Sequence, residues 1–297
     1  MPIQLPKELE KLLNVEEEKD EKLQALANKH NAILMALIAP YVPERISPSE
    51  YLSASLGIME EFSIETVIYH IQKNTKCRTL YLVINSPGGL VHSSYKIAKA
   101  LRENFDNIVI FVPYLAASGG TLICLAGNKI VMGMMSYLTP IDPHFGSIPL
   151  NALPKAFGRL VDYFQKKDKD EAPFPWVSLT ERIDPIQLES YSGEIRTVER
   201  YASEILRLSH PKLAKETIQG IAYNLTEGYE SHSTLIGLKE ATRIKLPVVS
   251  KDEFPTEWET LREWLGRYLL QSESRHFVRC ILPKKQRKSK PKKGRKK

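Results

Sequence analysis

Two glycine-bearing turns hold the residues best suited to chemistry. The first, Asn85-Ser86-Pro87-Gly88-Gly89, ends the apolar run Leu80–Asn85. The second, Ala116-Ala117-Ser118-Gly119-Gly120-Thr121, follows the run Ile108–Val112. A serine at a strand-to-helix turn presents its hydroxyl where backbone N–H groups are unpaired and negative charge is favoured. The N–H of Gly119 can face an oxyanion there. A second donor, from Gly88 or Gly89, is at hand if the two strands are neighbours. Two backbone donors beside a hydroxyl suit acyl transfer. Either turn alone is as readily a place where the chain reverses; the pair at this spacing is what points to a site.

The surrounding pattern supplies the scaffold. A helical stretch from about His92 to Asn104 joins the two runs, and an apolar helix-like run, Thr121 to Ala126, follows the second turn. Strand, turn, helix, strand, turn, helix is the rhythm of a parallel sheet with crossover helices. Ligands collect at the carboxyl ends of such strands, where both turns lie. Ala32–Pro43 reads as the first core strand and Glu60–Lys73 as an amphipathic helix. Asn128–Met132 and Ser136–Thr139 read as short strands. Helices are expected over Leu153–Gln165, Pro185–Leu208, Pro211–Asn224 and Gly237–Arg243, and a docked helix within 254–282.

Composition excludes several classes. Of 297 residues, 42% are hydrophobic and 26% charged, enough for a core and ordinary for a soluble globular chain. The net charge of +7 comes from one place: Lys284–Lys297 holds ten Lys/Arg and no acid, so the rest carries +7 − 10 = −3. Such a tail fits a polyanion, nucleic acid or an anionic membrane, and says nothing about the folded body. The three cysteines, Cys77, Cys124 and Cys280, lack metal-ligand spacing and are an odd count for a disulfide framework. A reducing compartment is the simplest inference. No run reaches the roughly 18 apolar residues of a membrane span, and the N-terminus lacks the layout of a signal peptide, so a cytoplasmic protein is expected.

INSPGGLV, then ASGGTLICLAGNKIVM, then LTPIDPHFG, in that order, resemble the Clp protease/crotonase superfamily. Within it the chain is most similar to the serine dehydrogenase proteinase family, relatives of signal peptide peptidase A. The likeness runs from about Ile33 to Val248 and is strongest over 80–146. It implies an α/β fold, a Clp protease/crotonase-like spiral of ββα units with flanking helices, a nucleophile at Ser118, and oxyanion donors near Gly89 and Gly119. There are departures. Asn85-Ser86 stands where the family reads His-Thr, Thr139 replaces a glycine, and His144 replaces a glutamine.

The general base is left open among three sources that the resemblance suggests. His144 lies 26 residues after Ser118, near where Clp-type enzymes bring a histidine, with Asp142 before it in the family's Pro-Ile-Asp-Pro segment. His232 falls on the histidine of a segment that leads into a helix and strand. Relatives of signal peptide peptidase A use a lysine, and the matching offset falls on Lys166, Lys167 and Lys169, in a loop that reads as solvated.

The expected organisation is a helical arm over 1–30, a catalytic domain over 31–250, a helical extension over 251–282 and a disordered basic tail over 283–297. The expected function is peptide-bond hydrolysis by a serine mechanism on a peptide or protein substrate, in a homo-oligomer, with no cofactor and no metal. The competing expectation is a non-peptidase or inactive crotonase-fold protein acting as a scaffold or tethered factor.

Overall fold

Leu34, Ala36 and Ile38 point to one side of the first strand and Ile33, Met35 and Leu37 to the other, and all six are buried. The same split recurs in the next strands, where Leu82 and Ile110 face one core and Val83 and Phe111 the other. Unbroken apolar runs of this kind belong to parallel strands covered on both faces. The computed structural model describes residues 20–39, 55–145, 148–165, 184–269 and 277–284.

Six strands form the main sheet: β1 (Ile33–Ile38), β2 (Thr79–Asn85), β3 (Asn107–Val112), β5 (Lys129–Met132), β9 (Val248–Ser250) and β10 (Phe277–Ile281). Their order is β10-β1-β2-β3-β5-β9, parallel throughout except for β10, which runs antiparallel on the edge of β1. One face packs against helices α2 (Ile58–Asn74), α3 (Val91–Asn104), α4 (Gly119–Cys124), α6 (Pro185–Ser209) and α7 (Lys215–Glu227). The other is covered by α1 (Glu21–His30) and α9 (Pro255–Leu269), through Leu23, Leu26, Leu261, Trp264 and Leu265. Helix α5 (Ala152–Gln165) precedes α6, and α8 (Leu238–Arg243) precedes β9. The mostly parallel sheet with helices on both faces is the ClpP-like α/β architecture that the motifs imply.

Helix ends follow the local chemistry. The Asp20 carboxylate accepts from the Leu23 N–H at the start of α1, and Asn31 closes that helix in the left-handed conformation that asparagine tolerates. Asp184 caps α6 in the same way, with Pro185 at the first helical position. The far end of α6 is tied to the turn after α4: Ser209 Oγ donates to the Leu125 carbonyl at 2.8 Å, and Asn128 Nδ2 donates to the Ser209 carbonyl at 3.2 Å. That brace holds the short helix that follows the serine turn.

The stretch 254–282 departs from the expected single helix. Residues Phe277–Ile281 within it are the edge strand β10, because Val278, Cys280 and Ile281 bury against the sheet while the backbone completes the hydrogen bonding of β1. Within the expected arm at 1–30 the description begins at Asp20. The basic tail beyond Lys284 and the lysines of the 166–169 loop lie outside the described residues. Cys77, Cys124 and Cys280 are thiols outside any disulfide, and burial pushes the Cys124 thiol far up.

Candidate active site

The two glycine turns meet. Ser86, at the end of β2, pairs with Ala116: the Ser86 N–H donates to the Leu115 carbonyl and the Ala117 N–H to the Ser86 carbonyl, both at 2.9 Å. Ala116 belongs to β4 (Leu115–Ala116), which pairs in parallel with β6 (Tyr137–Leu138). Neighbouring parallel strands β2 and β3 therefore deliver both turns to the same, carboxyl end of the sheet.

Ser118 stands between β4 and α4 at φ 47 and ψ −113, a conformation that L-residues avoid. A sharp strand-to-helix turn with strained φ/ψ at a serine pushes the hydroxyl out of the chain path. What holds the strain is a threonine pair. Thr139 Oγ1 accepts the Ser118 N–H at 2.8 Å, and Thr121 Oγ1 bonds the Ala116 carbonyl at 2.7 Å and the Thr139 carbonyl at 2.9 Å. Thr139 is one of the departures from the family pattern, and the Ser118 N–H is its partner.

The approach of the first turn explains its glycines. A β-carbon on Gly88 (φ +100) would lie 2.8 Å from both the Ala117 carbonyl oxygen and Ser118 Cβ. One on Gly89 (φ +156) would fall 2.2 Å from the Leu56 carbonyl oxygen, which itself accepts the Leu90 N–H. A β-carbon on Gly119 would sit 3.4 Å from the Gly89 nitrogen, so Gly89 and Gly119 lie side by side. Their N–H groups have no hydrogen-bond partner among the described residues. The Gly88 N–H does: it donates to Ser86 Oγ at 3.0 Å. Of the two alternatives for the second donor, Gly89 is the free one.

A second cluster gathers the polar candidates. Ile141 is fixed by its N–H to the Leu225 carbonyl at 2.9 Å, and the next residue, Asp142, is buried. His232, in the loop after α7, brings Nδ1 to 2.8 Å from Asp142 Oδ1. A reciprocal backbone pair between Leu138 and Ile236 holds that loop against the chain that carries Thr139 and Asp142. His144 begins β7 (His144–Phe145), which forms a two-stranded hairpin with β8 (Ile148–Pro149). Its Nδ1 lies 2.9 Å from the Asp142 main-chain carbonyl, its Nε2 lies 3.7 Å from Asp142 Oδ2, and its ring meets that of His232 edge-on at 3.9 Å. Burial, then the neighbouring His232, hold the His144 imidazole below its ordinary range, against the Asp142 carbonyl and carboxylate that raise it.

Asp142, His144 and His232 are thus one group, from positions up to 90 residues apart, and Thr139, which accepts the Ser118 N–H, lies three residues before Asp142 in the chain. Sequence reading named all three but not their association, because nothing in either segment encodes the other's position. It gave Thr121 and Thr139 no role in the site; the signals were a threonine closing the serine turn and a threonine in place of a glycine at 139. It named no metal ligands, whereas the fold puts three ligand-type side chains together. Among the described residues no helix is long and apolar enough to cross a membrane.

Comparison with known proteins gives likenesses of three kinds. The family described as "ClpP-like SDH-type serine proteinase" matches residues 56–293. An uncharacterized protein of Methanocaldococcus jannaschii is 31% identical over 256 residues, 86% of this chain and 81% of that protein. A second uncharacterized protein of that organism is 29% identical over 181 residues, 59% of this chain and just over half, 55%, of its own length. Among solved structures, a serine-to-alanine mutant of a membrane-bound stomatin-specific protease aligns with 70% of this chain and 79% of its own, at 14% identity and a TM-score of 0.43.

Proposed function

The chain belongs to the ClpP-like SDH-type serine proteinase family, and from that premise we propose that it is a serine peptidase with Ser118 as nucleophile. The observation that carries this reading is the convergence, at the carboxyl ends of β2 and β3, of a strained, half-buried serine with the N–H groups of Gly89 and Gly119, which have no partner among the described residues. These donors are the proposed oxyanion hole.

His232 is the base that the hydrogen bonding favours. With Nδ1–H donating to the Asp142 carboxylate, the lone pair is on Nε2, which has no partner among the described residues. His144 is less suited, since its Nδ1 is given to the Asp142 carbonyl and its Nε2 looks toward the same aspartate. In the proposed reaction Ser118 Oγ attacks the peptide carbonyl carbon as its proton passes to His232 Nε2. The Gly89 and Gly119 N–H groups hold the oxyanion. Collapse expels the amine, which takes the proton from His232, and water then cleaves the acyl-enzyme by the same route. Asp142 fixes the tautomer and offsets the imidazolium charge.

The test compares the purified chain with Ser118→Ala on fluorogenic peptides and activated esters. Hydrolysis by the parent chain and its loss in the folded variant are expected. Equal hydrolysis by both would overturn the assignment, and turnover of acyl thioesters alone would favour a crotonase-type activity.

A further inference from the structure

Three side chains of ligating type converge next to the proposed base, each from a different stretch of chain. Asp142 lies in the extended segment after β6, His144 at the start of β7 and His232 in the loop after α7, and one donor atom from each lies within 4.8 Å of the other two. The carboxylate faces both rings, with Oδ1 at 2.8 Å from His232 Nδ1 and Oδ2 at 3.7 Å from His144 Nε2. Bonds of 2.0–2.2 Å to a tetrahedral zinc ion separate its donor atoms by about 3.3 Å. The two spacings, one to each carboxylate oxygen, fall within about half an ångström of that figure, and 4.8 Å bounds the separation of the three donor atoms.

The surroundings suit a metal as well. A metal-bound imidazole ordinarily gives its other N–H to a carbonyl or carboxylate, which fixes the tautomer and ring orientation. His144 does this already: Nδ1 is held by the Asp142 main-chain carbonyl at 2.9 Å, so the Nε2 lone pair faces the carboxylate. The cluster is fixed through backbone on two sides, by Ile141 on Leu225 and by Leu150 on the Pro143 carbonyl. Two imidazole nitrogens and one carboxylate oxygen select zinc over the oxygen-seeking Mg2+ and Ca2+. The carboxylate is buried, while the His232 side chain is 32% exposed and leaves an entry path.

We infer that Asp142, His144 and His232 form a Zn2+ site with an open fourth position, and that zinc bound there switches the serine site off. The inhibitory half rests on His232 being the base. Zinc on His232 Nδ1 displaces the proton that Asp142 held, and that proton moves through solvent to Nε2. The lone pair that would accept the Ser118 proton is then gone, and the carboxylate is spent on the metal. No bond in the protein breaks and no electron is transferred.

The test begins with binding. The untagged chain, stripped with a chelator, is titrated calorimetrically with Zn2+ alone. One ion per chain is expected, bound as well by Ser118→Ala as by the parent. His144→Gln and Asp142→Ala should each weaken binding by more than the roughly 10–100-fold that losing an outer-shell partner costs. Should those variants fail to fold, Co2+ on the parent chain decides: four-coordinate ligand-field bands are expected, and two imidazole scatterers at about 2.0–2.1 Å in X-ray absorption of the zinc form. Peptide hydrolysis should fall on adding Zn2+ and return with chelator. Absence of binding, or binding unchanged in folded His144→Gln, overturns the site even if hydrolysis is robust. Binding with hydrolysis unaffected by zinc overturns the switch. Binding by a chain that hydrolyses nothing under any condition overturns the peptidase reading and with it the switch, and leaves the metal site standing.

Discussion

The Nδ1 of His232 lies 2.8 Å from the buried carboxylate of Asp142, 90 positions earlier in the chain. That contact decides which nitrogen of His232 carries a proton, and so what His232 can do for Ser118. Asp142→Asn keeps the shape but offers an amide that can donate to Nδ1, which favours the tautomer with Nε2–H. The expected result is a fall in kcat on the order of 10³–10⁴-fold with KM little changed. Steady-state kinetics on a metal-free sample check it, with circular dichroism to confirm the fold.

The strain at Ser118 makes an opposite prediction for stability. A non-glycine residue held at φ 47 and ψ −113 costs about 1–3 kcal/mol, part of which a glycine would return, less its own backbone entropy of about 0.5–1 kcal/mol. Ser118→Gly should therefore raise the unfolding free energy by about 1 kcal/mol while abolishing hydrolysis, and Ser118→Ala should abolish hydrolysis with no such gain. Urea melts of the three chains measure the difference.

At Gly89 there is no room for a side chain. A β-carbon would meet the Leu56 backbone at 2.2 Å, on a residue whose φ of +156 already excludes most side chains. Gly89→Ala should cost about 2–4 kcal/mol through strain and overpacking, and the shift of the backbone that relieves it should move the residue-89 N–H away from the serine and lower hydrolysis. Denaturation and peptide hydrolysis measured on the same preparation test both effects.

His210 gives the fold an acid limb. Burial lowers its pKa from 6.5; the Gly127 carbonyl, at 3.1 Å from Nε2, opposes this and the Arg102 charge adds to it. Between the depressed folded pKa and 6.5 the unfolded chain takes up the proton and the folded chain does not. Stability therefore falls as pH drops through that window and the penalty is complete below the folded pKa. His210→Gln, which keeps a donor for the Gly127 carbonyl, should flatten part of the decline that sets in as pH falls through about 6.5. His144 is shifted in the same direction and should account for some of the remainder.

Legibility in the sequence tracked how local the information was. Strands β2 and β3 and helix α3 were readable to within a residue or so, because apolar runs and turn glycines are contained in the segments that form them. The meeting of the glycine turns followed from the sequence only on the condition that β2 and β3 are neighbours, which the sheet order supplies. Strand β10 was not readable: five residues after a long amphipathic stretch gain their strand character only by lying on the edge of β1, some 240 residues earlier. The same holds for Asp142 and His232, whose contact depends on the pairing of Leu138 with Ile236. Thr139 was visible only as an oddity, since its partner is a backbone N–H that no side-chain pattern records.

The most direct measurement of the central claim is where a serine-directed fluorophosphonate attaches. The chelator-treated parent chain is incubated with the probe, digested and read by mass spectrometry beside Ser118→Ala and His232→Gln. The expected result is a single adduct on Ser118, formed in step with loss of peptide hydrolysis, absent in Ser118→Ala and much slower in His232→Gln. An adduct at another residue, or full peptide hydrolysis by a chain whose Ser118 remains unmodified or is replaced by alanine, would contradict it.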